Sequence, residues 1–335
     1  MTYRFDNMKL EKGMYQEAGQ TFTQVLERND PTEAYKGTNL EGLDAFQRQL
    51  KRFDIKVKGT NSDVVERFFC SADAAVLFPE YVARAVRQGL EENDVSAEIA
   101  AAVTTIDSLD YRSLTSQSDD KSMSYVGEGA EIPSTTILAQ ENLVKLKKRG
   151  RMLVASYEAI RHQKLDLFGV SLRQIGAQMA RMNLEDAVAT IMDGDGNDNP
   201  ATVLDVATPD SLTYQDLLEF WAKFDPYEMN TMLVSNDVMM KLLAMEEFQN
   251  PLTGLNFQAT GKLTTPLGAN LIRSAAVPDG TIIGLDKRFA LEMVRCGDVS
   301  IEYDKLIHRQ LERAAITTTS GFAKIFTDAS MVMSL

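Results

Sequence analysis

Apolar residues recur along this chain with two periods, and the helical one is strongest after residue 165. Leu165, Phe168, Leu172, Ile175, Met179 and Met182 are spaced 3, 4, 3, 4 and 3, the repeat of one face of an α-helix. Beyond them the stripe drifts to Leu184, Ala187, Val188 and Ile191, as it must on a straight helix of 3.6 residues per turn. The pattern predicts one helix over 165–192, roughly 40 Å long at 1.5 Å per residue, so a single element can touch several others. Asp193-Gly194-Asp195-Gly196-Asn197 follows, then Pro200. Glycines that accept positive φ and a proline that cannot continue a helix end it there.

Shorter stretches repeat both periods. Leu43, Phe46, Leu50 and Phe53 form a stripe that predicts a helix, and a helix this short needs either the chain's own core or a neighbouring subunit to cover it. Leu77-Phe78-Pro79-Glu80-Tyr81-Val82 opens another, with proline near its first turn and an end between Gly89 and Asn93. Ser211 to Phe224 reads as a helix capped at Ser211 or Thr213, with Leu217, Leu218, Trp221 and Phe224 inward. Asn236 caps the next, Asp237 to Met245, whose inward side is Met239, Leu242, Leu243 and Met245. Met232–Ser235, Asn270–Arg273 and Thr281–Leu285 read as strands, Ala290–Arg295 and Val299–Tyr303 as a hairpin about Cys296-Gly297-Asp298, and Ala315–Met333 as strand. Between Ser113 and Ser124 the large apolar residues are Leu114 and Met123, so that stretch is not core. Met123–Val126 and Ile137–Val154 alternate as strands around a tip at Gly127–Pro133. Tyr111 to Arg151 is therefore a long two-stranded excursion, and an isolated hairpin is marginally stable in water, so it should lie on something. Residues before Ser71 mix short amphipathic runs with turn residues and read as an arm, not a packed domain. The class is α+β.

Composition narrows the chemistry. The 335 residues are 44% hydrophobic and 25% charged, ordinary for a globular chain. No apolar run approaches the roughly 20 residues that span a bilayer, and Met1–Leu10 has no signal architecture, which points to a cytosolic protein. The net charge of −13 argues against a broad nucleic-acid footprint, because phosphate binding needs excess Lys and Arg. Cys70 and Cys296 belong to no Cys-x-x-Cys pair. His162 and His308 lie in no His-Glu-x-x-His, there is no Gly-x-Ser-x-Gly, and Gly254 and Gly261 are too far apart for a phosphate loop. Asp193, Asp195 and Asn197 alternate like the opening of a calcium loop, but its sixth and twelfth positions need Gly and Glu, and this chain has Asp198 and Leu204 there. That turn reads as a helix stop, with a weak divalent site as the alternative. No catalytic residue and no cofactor is expected. Against the acidic background a basic run stands out: Lys145, Lys147, Lys148, Arg149 and Arg151. It is a solvated strand face, a subunit contact or, third, a nucleic-acid contact, with Asp119, Asp120, Glu128 and Glu131 as acidic partners in the second case and Asp298 and Glu302 as further contact candidates.

The order of these parts resembles the major capsid protein of tailed bacteriophages, the Hong Kong ninety-seven capsid fold. The resemblance runs from about Leu77 to the C-terminus. It rests on Leu77-Phe78-Pro79-Glu80-Tyr81, on Tyr125-Val126-Gly127-Glu128-Gly129-Ala130-Glu131-Ile132-Pro133, and on Met152-Leu153-Val154-Ala155-Ser156-Tyr157-Glu158 before the long helix. The Asp193–Asn197 turn and Met232-Leu233-Val234-Ser235 complete it. It implies an N-terminal arm (1–75), an extended loop (111–151), and an axial α/β domain (206–289). The peripheral domain would be assembled from 76–110, 152–205 with the spine helix 165–192, and 290–335. It implies a structural protein that self-assembles, through pentamers and hexamers, into an icosahedral or prolate shell around double-stranded DNA. Its partners would be copies of itself, scaffolding, portal and decoration proteins, and packaged DNA bound without sequence specificity, with no membrane. It would reside in the virion capsid after assembly in the bacterial host cytoplasm. Some members weld subunits by a Lys–Asn isopeptide bond, but this chain has no Asn after Asn270, so no such bond is expected. The rival readings are an encapsulin-type nanocompartment shell and a metal-dependent enzyme using Asp193 and Asp195.

Overall fold

Two faces of one sheet explain why the strands of the C-terminal half are continuous apolar runs. In this computed structural model, β5 (Thr202–Asp205), β12 (Ser330–Ser334), β8 (Thr281–Leu285), β6 (Thr231–Val234) and β7 (Asn270–Arg273) lie side by side in that order. β12 runs parallel to β5 and antiparallel to β8, and β6 runs antiparallel to β8 and parallel to β7. Successive side chains of a strand point to opposite faces. On one face Met232, Val234, Ile282 and Met333 pack with Leu217, Phe220 and Phe224 and with Val238 and Leu242 of the two helical segments around them. On the other, Leu233, Ile283, Leu285 and Val332 pack with Leu184, Ala187, Val188 and Ile191 of the long helix. Both faces of the central strands β6 and β8 are covered, so alternation is absent there and those strands read as solid apolar blocks.

The structure describes residues 4–17, 20–116, 125–129, 132, 137–156, 158, 162–249 and 267–335. The remaining elements, in chain order, are α1 (Phe22–Asn29), α2 (Ala45–Arg52), α3 (Ala72–Val76), α4 (Phe78–Glu91), α5 (Val95–Ile99), β1 (Ala102–Ile106), β2 (Leu114–Ser116), β3 (Ile137–Ala139) and β4 (Lys147–Ser156). Then come α6 (Leu165–Asp193), α7 (Tyr214–Ala222), α8 (Asn236–Ala244), α9 (Glu246–Gln249), β9 (Leu291–Cys296), β10 (Ser300–Leu306) and β11 (Leu311–Lys324). The chain divides into two compact units. The first is 1–93, 149–179 and 299–318; the second is 94–148, 180–298 and 319–335.

In the first unit the segment expected to be an unpacked arm has a core of its own. Thr21 and Gln24 cap α1, and Asp44 and Gln47 cap α2, each as a reciprocal capping box. Phe22, Val25, Leu26, Phe46 and Leu50 are buried. Of the two surfaces open to the 43–53 stripe, the chain's own residues therefore cover it. Arg48, fully buried, reaches Asp30 Oδ2 at 2.7 Å and the Leu43 carbonyl at 2.6 Å, and lies 4.3 Å over the Tyr35 ring. Next to this, α4 crosses α6 where two glycines meet. A Cβ on Gly89 would lie 2.1 Å from the Arg173 carbonyl oxygen, and one on Gly176 would lie 2.0 Å from that of Val86. Only glycine permits backbones this close.

Five expectations are corrected. The 290–303 segment is not a hairpin: β11 lies between β9 and β10, which do not pair with each other. A 14-residue strand supplies partners for both, and β9 gains β1 as a parallel neighbour on its other edge. Met182 is 39% exposed, because from residue 180 the helix serves the second unit's core with a new stripe, Leu184, Ala187, Val188 and Ile191. Trp221 is 48% exposed and Phe220 takes the inward position. The strand drawn through 137–154 is broken into β3 and β4, with buried Gln140 and Val144 between them. Of the first predicted loop strand, Met123 and Ser124 lie outside the described residues, and Tyr125 and Val126 are not in a strand.

Candidate functional site

The Asp-Gly turn after α6 does not point at solvent. Gly194 and Gly196 take φ of +85° and +103°, conformations L side chains rarely adopt, and this folds Asp195 back beneath the helix end. Asp195 is buried. Its Oδ1 accepts from the Asn197 backbone N–H at 3.1 Å and side-chain amide at 2.9 Å, and its Oδ2 accepts from the Lys324 backbone N–H at 2.9 Å. Lys324 is itself buried, and its ammonium donates to the Ile191 carbonyl at 3.4 Å in the last turn of α6. Burial pushes the Lys324 amine down to about 8, against the opposing pull of Asp195 and Asp328. Of the three weak metal candidates, Asp195 and Asn197 thus face N–H donors, while Asp193 is exposed. No group of three His, Cys, Asp or Glu able to hold a metal occurs among the described residues.

What the turn holds is the root of the 111–151 excursion. Gln140 donates to the Lys324 carbonyl at 2.7 Å and accepts from the Asn197 amide at 3.2 Å. Asn142 donates its backbone N–H to Asn197 Oδ1 at 2.9 Å and its side-chain amide to the Gly196 carbonyl at 2.7 Å. The other leg is held by buried Glu292 of β9. Its Oε1 accepts from the hydroxyls of Thr104 at 2.5 Å and Tyr111 at 2.6 Å, and its Oε2 from the hydroxyl of Ser113. Gln140 and Asn142 thus tie one leg with four neutral hydrogen bonds, and the Glu292 carboxylate ties the other with three. Burial, then the adjacent Glu292, raises the Tyr111 hydroxyl pKa, which keeps it a donor. Sequence reasoning missed Gln140, Asn142, Glu292 and Lys324, because each meets its partners across 54 to 188 positions and none lies in a local pattern.

Away from its root the excursion turns apolar residues outward. β2 and β3 pair antiparallel, and Leu114, Ile137 and Leu138 are exposed, as are Val126 and Ile132 near the tip, with Tyr125 fully so. A two-stranded ribbon cannot bury these on itself. The basic run at its end is split between jobs. Lys147 is paired with Asp186 of α6 at 2.7 Å, and Arg151 donates to Gln178. Lys145 lies alongside Gly196, Lys148 is exposed, and Arg149 is half-buried. Glu128, Asp298 and Glu302 are exposed. Glu131, Asp119 and Asp120 lie outside the described residues. Among the described residues no helix is long and apolar enough to cross a membrane.

This architecture has known relatives. Residues 140–306 match the phage capsid protein family. No curated protein matches the sequence. Among solved structures the fold is similar to the capsid of a native GTA particle, with a TM-score of 0.54 and 13% identity over 72% of this chain and 90% of that one. It is also similar to Microbacterium phage Oxtober96, with 0.53 and 11% over 72% and 91%. A third is the capsid of the cyanophage P-SCSP1u, with 0.51 and 16% over 72% and 88%. At these identities the structures speak for the fold, and the family match speaks for the role. A chain whose conspicuous surface is an anchored apolar ribbon, and whose acidic turn is a structural clasp, fits both: over residues 140–306 it matches the phage capsid proteins, and its role is that of a structural major capsid protein.

Proposed function

We propose that copies of this chain close into an icosahedral or prolate shell of pentamers and hexamers around double-stranded DNA, in the cytoplasm of a bacterial host. The observation that carries the reading is the excursion: tied at both roots by buried hydrogen bonds, yet apolar and exposed beyond them. Such a ribbon is built to lie across an adjacent copy, where many modest interfaces add up by avidity. Within this reading 206–289 is the axial domain around which each ring closes, and 76–110, 152–205 and 290–335 form the peripheral domain. The 1–75 segment acts as a structured N-terminal arm. Lys145, Lys148, Arg149, Glu128, Glu131, Asp298 and Glu302 serve as inter-subunit contacts, while Lys147 and Arg151 also brace α6. Scaffolding, portal and decoration proteins are separate partners. The net charge of −13 suits a container that must not grip its genome while it is being filled.

Expression of the chain alone and with a scaffolding partner, followed by electron microscopy and sedimentation, tests the reading. Closed shells are expected. A monomer that persists at high concentration under both conditions would refute it. Denaturing electrophoresis of the particles should show a single band, since no Asn follows Asn270 to form a Lys–Asn bond; a covalent ladder would contradict that part.

A further inference from the structure

The first unit contains a cleft of about 180 Å³ where α2, α4 and the start of α6 meet. Phe46, Leu50, Val57, Ala85 and the ring of Tyr81 make its walls apolar, and Lys58, Gln88, Asp166 and Arg173 stand among its lining residues. Arg84, also in the lining, is committed to Asp44 at 2.6 Å and Glu80 at 2.9 Å. Lys58, Arg173 and Asp166 have no ion pair among the described residues, so the polar part of the cleft holds two uncommitted cations against one acid, a net charge of +1. A cavity of roughly 150 Å³ accepts a benzene-sized ring, so this one has room for a single aromatic side chain.

The chain also carries an aromatic side chain with nowhere to go. Tyr125, near the tip of the excursion, is 108% exposed, more than any other large apolar or aromatic residue described, and exposed Glu128 follows three residues later. Tyrosine joins an apolar body to a polar tip and is a favoured anchor of protein interfaces. A ring that finds no cover within its own excursion is matched in size by the cleft, and the acid beside it is matched in charge by Lys58 and Arg173. We propose that Tyr125 of one copy inserts into this cleft of a neighbouring copy, with Glu128 set against Lys58 and Arg173. The inference rests on the shell reading and names the receiving surface for the loop tip.

The test is a cross-link across copies. In a background carrying Cys70→Ser and Cys296→Ser, Tyr125→Cys is combined with Gln88→Cys, which places a thiol among the cleft's lining residues, and assembled particles are treated with a short thiol–thiol cross-linker. A ladder of multimers on a denaturing gel is expected from particles with both cysteines and from neither single variant. Shells seen by electron microscopy that give no ladder would overturn the inference while leaving the shell reading intact. Failure of the unsubstituted protein to form shells would overturn both. A second arm does not depend on those cysteines. Glu128→Arg should lower shell yield by about tenfold, because like charges facing each other are strongly disfavoured, and adding Lys58→Glu with Arg173→Glu should restore it. Normal yield from Glu128→Arg alone, or no recovery in the triple variant, would count against the pairing.

Discussion

Replacing Gly176 by alanine sets two well-understood effects against each other, and the structure decides the sign. Both Gly176 and its opposite number Gly89 sit inside helices, α6 and α4. There glycine costs about 1 kcal/mol relative to alanine, so propensity alone makes Gly176→Ala stabilising. The crossing says otherwise. An alanine Cβ would lie 2.0 Å from the Val86 carbonyl oxygen, 2.5 Å from the Leu90 nitrogen and 2.9 Å from the Gly89 carbonyl carbon. All three are backbone atoms of a helix and cannot rotate away. Relief requires α4 and α6 to part by more than about 1 Å, and a gap of 0.5–1 Å already forfeits roughly a quarter to a half of the dispersion energy of each contact. Buried residues flank the crossing, among them Val86, Leu90, Leu172 and Ile175. Overpacking of this kind costs about 1–3 kcal/mol and sometimes more. With the neighbours being backbone, the upper end applies, about 3–4 kcal/mol, so the net loss is about 2–3 kcal/mol.

Chemical denaturation of the unassembled subunit, kept dilute so that assembly does not add to apparent stability, measures this directly. Gly169→Ala on the same helix is the control. Its nearest neighbour would be the Tyr81 hydroxyl at 3.1 Å, which donates to the Leu165 carbonyl at 2.6 Å and need give only a few tenths of an ångström, so the change should cost far less than at Gly176. If Gly176→Ala proves as stable as the parent, the close crossing of α4 and α6 is wrong.

Arg48→Ala should strand the buried Asp30 carboxylate and cost about 3–5 kcal/mol, seen as faster amide exchange and proteolysis confined to residues 20–53. Asp286 is fully buried; although burial itself opposes ionisation, hydrogen bonds from Arg288, the Glu228 backbone and Asn230 hold its carboxyl down at about 2. A depressed carboxyl stabilises the fold above its unfolded value and loses that contribution as pH falls toward the folded one. Stability should therefore drop by about 2 kcal/mol between pH 4 and pH 2, and Asp286→Asn should remove that part of the acid transition. Lys324 has the opposite sign. Its amine, lowered to about 8, disfavours the folded state while charged, so stability should climb from pH 8 towards pH 10, and Lys324→Met should flatten the climb. Above pH 10 the buried tyrosines Tyr35 and Tyr81, both raised to about 12 by burial, begin to pull stability down.

The long helix was legible from sequence to within a residue at each end, because its signals are local: a 3–4 repeat, two glycines and a proline. So were α4 and the strands β6, β7 and β8, each a short apolar block between turn residues. What sequence could not supply was partnership. The spacing of 290–303 fits a hairpin as well as it fits two strands separated by β11, since turn chemistry at Gly297 is the same in both. Met182 continues the 3–4 repeat, and only the arrival of a second core makes the stripe restart at Leu184. The first 75 residues look like an arm because their apolar residues are thinly spread, yet Arg48, a residue type rarely buried, closes their core by satisfying Asp30 and the Leu43 carbonyl at once.

The same distinction governs the Asp193–Asn197 turn. Alternating acids and amides are the composition of a cation loop and equally that of a tight turn whose side chains cap backbone N–H groups, and only the missing Gly and Glu at the loop's sixth and twelfth positions favour the turn locally. Partners from distant segments add to that preference. Lys324 delivers a backbone N–H to Asp195, Asn142 delivers another to Asn197, and the ammonium of Lys324 occupies the electronegative end of α6 where a free cation would otherwise be drawn. With those atoms engaged, the turn fixes the excursion's root to the end of the longest helix in the chain. In the proposed shell, a ribbon held at its base and left apolar towards its tip transmits the position of one subunit to the next. That role calls for a stiff helix at its root, because any play there would be magnified along the ribbon and would blur the angle at which copies meet.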